Sequence, residues 1–219
     1  MKGTEVETAM ETTSPMVFIV DDDASIREAL CELLTSAGMC VVTCESAGEY
    51  LRIKKPDLPA CLILDVALPD ISGIELQRQL GTGNHPPIIF LTGESDVPTS
   101  VRAIKAGAID FLIKPCRKGD LMAAIAAAIE QDRRVRAERV NSELLRRRHS
   151  CLTPREREVL PLVVGGFLNK QAAAQLGISE TTLQIHRSRV MRKMEADSLA
   201  QLVRMAGALC VPLPQAKSY

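Results

Sequence analysis

Side chains suited to phosphate chemistry recur at one kind of position in this chain. Asp21, Asp22 and Asp23 follow the apolar run MVFIV, Asp65 closes CLIL, Thr92 follows IIFL, and Lys114 follows IDFLI. A carboxylate at the end of a buried strand costs several kcal/mol unless a basic group or a metal pairs with it. The alternative is that the strand has already ended and Asp65 faces water. The elements around these residues bear on the choice. Apolar runs at 16–20, 40–44, 61–64, 88–91 and 109–113 alternate with helical stretches at 24–37, 47–54, 73–80 and 97–106. Such alternation predicts an α/β domain with a parallel sheet. Right-handed crossovers then bring every strand's C-terminal end to one edge, which is where α/β sheets bind ligands.

On that edge Asp21, Asp22, Asp65, Thr92 and Lys114 meet although the sequence scatters them. Two or three carboxylates that close require a cation, because like charges raise one another's pKa. Ligands that are all oxygen suit Mg²⁺. Lys114 supplies an ammonium, Thr92 a hydroxyl, and an aspartate can act as nucleophile toward phosphorus. Together they predict a phosphoryl-transfer site in which Asp65 is phosphorylated. Taken singly, the triple Asp also suits an exposed turn and Thr92 an ordinary strand-end hydroxyl. The coincidence of all of them at strand ends carries the reading.

The 219 residues suffice for one large or two small domains, with 46% apolar and only 3% aromatic side chains. The net charge of zero conceals a split. Residues 1–132 hold 11 basic and 20 acidic side chains, a net of −9, and residues 133–219 hold 16 and 7, a net of +9. An acidic module joined to a nucleic-acid-binding one fits this asymmetry. The seven cysteines form no C-x-x-C pair and mostly sit in apolar runs, so buried free thiols in a reducing cytosol are expected. No run has the roughly 18 apolar residues of a membrane span, and the acidic, Thr-rich start is unlike a signal peptide. Residues 1–15 read as a loose tail, and 118–149, free of glycine and proline after its first turn, as one helix about 45 Å long. Its apolar spacing (Ile125, Ile129, Val135, Val140, Leu144) drifts too much for a sustained coiled coil. Arg146, Arg147 and Arg148 read as a solvated linker face. Beyond Thr153-Pro154, a cap followed by proline at the first helical position, helices are expected near 154–164, 169–176, 180–195 and 198–208. Pro161 should kink the first of them.

The stretches IVDDD, LILDVALPDISG, IIFLTG and AGAIDFLIKP resemble the receiver domain of two-component response regulators over about residues 16–130. The resemblance implies a flavodoxin-like doubly wound (βα)5 fold. It implies that Asp21 and Asp22 hold Mg²⁺ together with Asp65 and the Ala67 carbonyl, and that Asp65 accepts the phosphoryl group. Thr92 would hydrogen-bond a phosphoryl oxygen, Lys114 would pair with it, and Phe111 would be the aromatic that turns inward on activation. The Lys114–Pro115 bond is expected to be cis, an isomer accessible mainly before proline. Two positions depart from the commonest pattern: Gly93 stands where Ala is usual, and Cys116 where Phe is usual.

The pieces LTPREREVL, NKQAAAQLGIS and TTLQIHRSRVMRKM resemble the LuxR-type helix-turn-helix module over about 151–208, an all-α four-helix domain. A turn at Gly177-Ile178-Ser179 would join the scaffold helix to a recognition helix capped by Ser179. At about 100° per residue, Leu183, Val190 and Met194 share one face. Thr181, Ile185, Ser188 and Arg192 lie opposite, flanked by Gln184 and Arg189. Ile185 is an isolated apolar residue on a polar face, which a thymine methyl would partner, and Gln184 could read adenine; the plain alternative for Ile185 is an ordinary exposed side chain. Lys170, Arg187, Arg189, Arg192 and Lys193 suit phosphates. The expected DNA-contacting set is Lys170, Thr181, Thr182, Gln184, Ile185, Arg187, Ser188, Arg189 and Arg192. Gln184 stands where lysine is common in related modules, and Ala173 where Ile is frequent, which predicts looser scaffold packing.

The expected division is a tail at 1–15, a receiver at 16–130, a helical linker at 131–150 and a DNA-binding domain at 151–219. The resemblance, to the NarL/FixJ type, implies a cytoplasmic regulator rather than an enzyme. A sensor histidine kinase would phosphorylate Asp65, and the modified protein would form a homodimer on paired half-sites of double-stranded DNA. Two rivals stand beside it. One is a DNA-binding regulator independent of phosphorylation, against which the intact acidic set argues. The other is a Mg²⁺-dependent phosphohydrolase with Asp65 as nucleophile. Haloacid-dehalogenase-type phosphatases carry a second Asp two residues on, where this chain has Ala67.

Overall fold

The computed structural model describes residues 14–81, 85–93, 104 and 107–214. The chain divides into two compact units, Met1–Arg136 and Ala137–Tyr219. Most of the tail expected at 1–15, the helix expected at 97–106 (Ile104 apart) and the last five residues lie outside the described residues.

The first unit runs β1 (Met16–Val20), α1 (Ala24–Ser36), β2 (Cys40–Cys44), α2 (Ala47–Arg52), β3 (Ala60–Leu64), α3 (Gly73–Leu80), β4 (Ile88–Thr92), β5 (Asp110–Ile113) and the start of α4 (Lys118–Ser150). Its five strands are all parallel, in the order β2-β1-β3-β4-β5. This is the flavodoxin-like, doubly wound arrangement. Every residue of β3 and β4 is buried, because helices cover both faces of the sheet. Alternate side chains separate the two layers. Val17, Ile19, Cys61, Ile63, Ile89 and Leu91 pack with Leu30, Leu34, Leu121 and Ile125. Phe18, Val20, Leu62, Leu64 and Phe90 pack with Tyr50 and Leu76 on the other side. The strand order reverses between β1 and β3. Such a switch point opens a crevice at the strands' C-terminal ends, and here those ends are Asp21 and Asp65.

One unbroken helix, α4, spans the boundary between the units. Its buried residues Leu121, Ala124, Ile125, Ala128 and Ile129 follow the spacing of one helical face. The helix stays fastened to β3 beyond residue 130. Buried Asp132 accepts the Ala60 N–H at 2.9 Å and pairs with Arg136 Nε at 2.6 Å, and Arg136 also pairs with Asp57. Val135, Val140 and Leu144 are exposed. Among the described residues no helix is long and apolar enough to cross a membrane. The cysteines are all free, but only Cys44 and Cys61 are buried; Cys31 and Cys116 are half-buried, and Cys40, Cys151 and Cys210 are exposed. An apolar run did not guarantee burial for Cys40, because β2 is an edge strand.

The second unit holds α5 (Pro154–Val164), α6 (Asn169–Leu176), α7 (Glu180–Met194) and α8 (Leu199–Ala208). Thr153 caps α5 as expected, and with Glu156 it forms a reciprocal capping box. The helix α5 runs on through Pro161, with the loss of one backbone bond as the cost of the ring. Leu160, Val163, Ala172, Ala173, Leu183, Val190, Met194 and Leu202 share the core.

Candidate functional site

The triple Asp after β1 divides its labour. Asp23 caps α1, accepting the Ser25 N–H at 2.8 Å. Asp21 is buried at the switch point and Asp22 is exposed beside it. Carboxylate oxygens of Asp21, Asp22 and Asp65 all lie within 4.8 Å of one another. Lys114 Nζ bridges two of them, donating to Asp21 Oδ2 at 2.6 Å and Asp65 Oδ2 at 2.7 Å. The other oxygen of Asp65 accepts the Ala67 N–H at 3.1 Å. Asp65 is therefore held by both oxygens, with only 6% of its surface exposed. Thr92, buried at the end of β4, receives the Lys114 N–H on its backbone carbonyl at 2.6 Å. The Lys114–Pro115 bond is cis, as expected.

Electrostatics follow from this crowding. Burial pushes the Asp21 carboxyl above its usual range, against the opposing pull of Lys114. Burial alone would lower the Lys114 ammonium, but Asp21 and Asp65 outweigh it and hold it above the ordinary lysine value. Three carboxylates face one ammonium, so the cluster keeps a negative excess. An oxygen-only donor set with that excess fits a hard divalent cation.

Several residues that complete the site carried no isolated sequence signal. Arg27 Nη1 donates to the Asp21 backbone carbonyl at 2.7 Å. Gly73 opens α3 directly against the end of β3: a Cβ there would stand 2.1 Å from the Asp65 carbonyl oxygen. Gly73→Ala is expected to cost about 2 kcal/mol through forced displacement. A chemical denaturation midpoint measured for the variant checks this, and an unchanged midpoint would show that the loop accommodates the methyl group. Asp70 reaches from the same loop to α2. Gly93 is not sterically required, since a Cβ there meets nothing within 4 Å. Cys116 is absorbed among apolar neighbours, and burial raises its thiol pKa. Phe111 is half-buried with its ring centroid 6.0 Å from that of Phe90.

In the second unit α6 ends at Gly177, whose left-handed φ of 65° allows the Ile178 N–H to reach the Ala173 carbonyl at 3.0 Å. Ser179 then caps α7 by accepting the Thr182 N–H at 3.1 Å. Leu183, Val190 and Met194 are buried. Thr181, Gln184, Ile185, Ser188, Arg189 and Arg192 line one shallow groove on the opposite, outer face. Ile185 is 48% exposed. Lys170 is exposed at the start of α6. Thr182 is half-buried, its hydroxyl 2.8 Å from that of Ser179. Arg187 is half-buried and donates to Asn169 Oδ1 at 3.2 Å, tying α7 to α6. Lys193 does not join the outer basic face. Its ammonium lies 2.7 Å from Glu156 Oε2 and donates to the Cys151 carbonyl at 3.1 Å. Glu156, 2% exposed, needed a cation, and helix periodicity could not show that Lys193 would supply it. Arg148 likewise pairs with Glu195.

The family description "Response regulator receiver domain" matches residues 17–126, and "Bacterial regulatory proteins, luxR family" matches residues 150–206. Nodulation protein W of Bradyrhizobium diazoefficiens is 47% identical over 199 residues, which span 90% of this chain and 88% of that protein. The transcriptional regulatory protein FixJ of Azorhizobium caulinodans is 42% identical over 192 residues, 87% of this chain and 90% of its own. Among solved structures, the response regulator StyR superposes with a TM-score of 0.79 at 43% identity, covering 89% of this chain and 99% of that one. With an acidic cluster at the switch point of one unit and a polar recognition face on the other, the chain belongs to the two-component response regulators that join a receiver domain to a LuxR-type DNA-binding domain.

Proposed function

We propose that a sensor histidine kinase phosphorylates Asp65 and that the modified receiver controls dimerisation and sequence-specific DNA binding in the cytoplasm, and with them transcription. The observation that carries this is the junction of Asp21, Asp22 and Asp65 within 4.8 Å, bridged by Lys114. Mg²⁺ held by Asp21, Asp22, Asp65 and the Ala67 carbonyl would offset carboxylate and phosphoryl charge. The Asp65 carboxylate, its plane held by Lys114 and Ala67, attacks the phosphorus of a phosphohistidine. The P–O bond forms as the P–N bond breaks, and the departing imidazole nitrogen takes up a proton. The adduct adds about −1.5 to −2 charges beside the buried end of β4. Lys114 pairs with the new oxygens and the Thr92 hydroxyl donates to one. Phe111 turns further inward, and the surface around β5 becomes the dimer contact. In this reading residues 16–130 act as receiver, 131–150 as linker and 151–219 as DNA-binding domain.

Intact mass after incubation with Mg²⁺ and acetyl phosphate, or with a cognate kinase and ATP, tests the reading. One Mg²⁺-dependent phosphoryl adduct is expected. Absence of an adduct from both donors would overturn it. On the DNA side, Thr181, Thr182, Gln184, Ile185 and Ser188 read the major groove, while Lys170, Arg187, Arg189 and Arg192 set affinity through phosphates. Arg192→Ala is expected to weaken binding to every DNA sequence and to lower the salt slope by about one unit. A slope equal to that of the wild type would place Arg192 off the backbone.

A further inference from the structure

Asp70 sits in the loop between β3 and α3, exposed and without a basic partner among its hydrogen bonds. Its carboxylate is nonetheless fully engaged. Oδ2 accepts the Gly48 N–H at 2.7 Å, and Oδ1 accepts the Ala47 N–H at 3.3 Å and the Ile71 N–H at 2.9 Å. Ala47 and Gly48 open α2, and their N–H groups are among those that a helix start leaves without an internal partner. Ser46 satisfies the Glu49 N–H of the same turn, so Ser46 and Asp70 share the capping of α2. Gly48 makes the approach possible, because a Cβ there would lie 3.2 Å from Asp70 Oδ2. The Gly48 hydrogen bond foremost, with those from Ile71 and Ala47, holds the carboxyl below its ordinary range.

The loop that Asp70 tethers carries the residues next to the phosphoacceptor. Its ends are fixed to neighbours, the Asp65 N–H to the Val20 carbonyl at 2.8 Å and the Gly73 N–H to the Val66 carbonyl at 2.9 Å. Between them Ala67, Pro69 and Asp70 are exposed. Ala67, whose N–H already binds Asp65 Oδ1, lies just before the tether. We infer that Asp70 is a positioning residue for phosphoryl transfer at Asp65. It fastens the β3–α3 loop to α2, so that the Ala67 backbone keeps its register with the Asp65 carboxylate and the acidic pair. This rests on the phosphorylation reading above and adds a residue to it.

Calorimetric titration of the full-length protein with Mg²⁺, without any phosphodonor, tests the inference on wild type, Asp70→Ala and Asp70→Asn. Groups hydrogen-bonded directly to metal ligands are typically worth about 10- to 100-fold in metal affinity, and Asp70 acts one step further out, through the loop backbone. Asp70→Ala is expected at the lower end, about 10-fold weaker, with Asp70→Asn partly restored because its amide oxygen still accepts one N–H. The rate of adduct formation from acetyl phosphate should fall at low Mg²⁺ and recover at saturating Mg²⁺, with the variant's circular dichroism at low Mg²⁺ equal to that of the wild type. If Asp70→Ala fails to fold, Gly48→Ala carries the test. Alanine favours the helix, so the melting temperature should hold while the new Cβ crowds Asp70 and Mg²⁺ affinity drops. Wild-type Mg²⁺ affinity in the folded variants would overturn the inference and leave the phosphorylation reading standing. Failure of the wild type itself to bind Mg²⁺ would overturn both.

Discussion

Asp65→Asn is expected to yield no Mg²⁺-dependent phosphoryl adduct and to lose phosphate-stimulated DNA binding altogether. The wild-type carboxylate has both oxygens fixed, one by Lys114 and one by the Ala67 N–H. It stands at the end of β3 beside β1, at the switch point. An amide at this position is nearly the same size but offers no anionic oxygen to attack phosphorus. It also leaves Lys114 with Asp21 alone as its ionic partner. The fold should survive, because the strand and its core neighbours are untouched. Mass spectrometry and a gel-shift titration with and without phosphodonor, on both proteins, make the comparison. Stimulation of DNA binding in the variant equal to that of the wild type would sink the assignment of Asp65.

Glu156→Ala is expected to destabilise the C-terminal unit by about 3 kcal/mol, the usual cost of breaking a buried ion pair by removing one partner. The Glu156 carboxylate is buried and pairs with Lys193 at 2.7 Å. It also accepts the Thr153 N–H at 2.8 Å, completing the capping box of α5. Truncation leaves the half-buried ammonium with a carbonyl only. For a unit of this size the melting transition should drop by on the order of 10–20 °C. Glu156→Gln, which can still accept both hydrogen bonds, should lose distinctly less. The pair has a pH signature as well. Burial raises the Glu156 carboxyl, but Lys193 and Thr153 outweigh it and hold it below its ordinary value of 4.5. Its contribution is therefore complete above that value and is lost as pH falls through the lowered one. Thermal melts of wild type and Glu156→Gln between pH 7 and pH 3 should converge on the acid side. Parallel curves over the whole range would show that the pair does not couple folding to protons.

The acidic cluster and its lysine were legible because they sit at strand ends. An apolar run marks a buried strand, a parallel sheet gathers the ends of its strands, and Asp21, Asp65, Thr92 and Lys114 fall where those rules converge. Helix periodicity likewise separated Leu183, Val190 and Met194 from the outer groove of α7. Arg148, expected on a solvated face, pairs with Glu195, and two further expectations changed on contact with the structure. Lys193 lies on the recognition helix but is claimed by Glu156, and Cys40 lies in an apolar run but on an edge strand. Both depend on what stands opposite a residue, which periodicity along one element does not encode.

The amino-acid sequence by itself determined the alternation of elements, the acidic and basic halves, the caps at Thr153 and Ser179, and which side chains a parallel sheet must bring together. These are consequences of local propensity and of periods 2 and 3.6, which are read along the chain. Only the tertiary structure decided the pairings between distant segments. It set Asp70 on the first turn of α2, Gly73 against the Asp65 carbonyl, Asp132 on the Ala60 N–H and Glu156 on Lys193. A short polar side chain meets its partner only after the chain has brought both into place, and burial then makes that meeting obligatory.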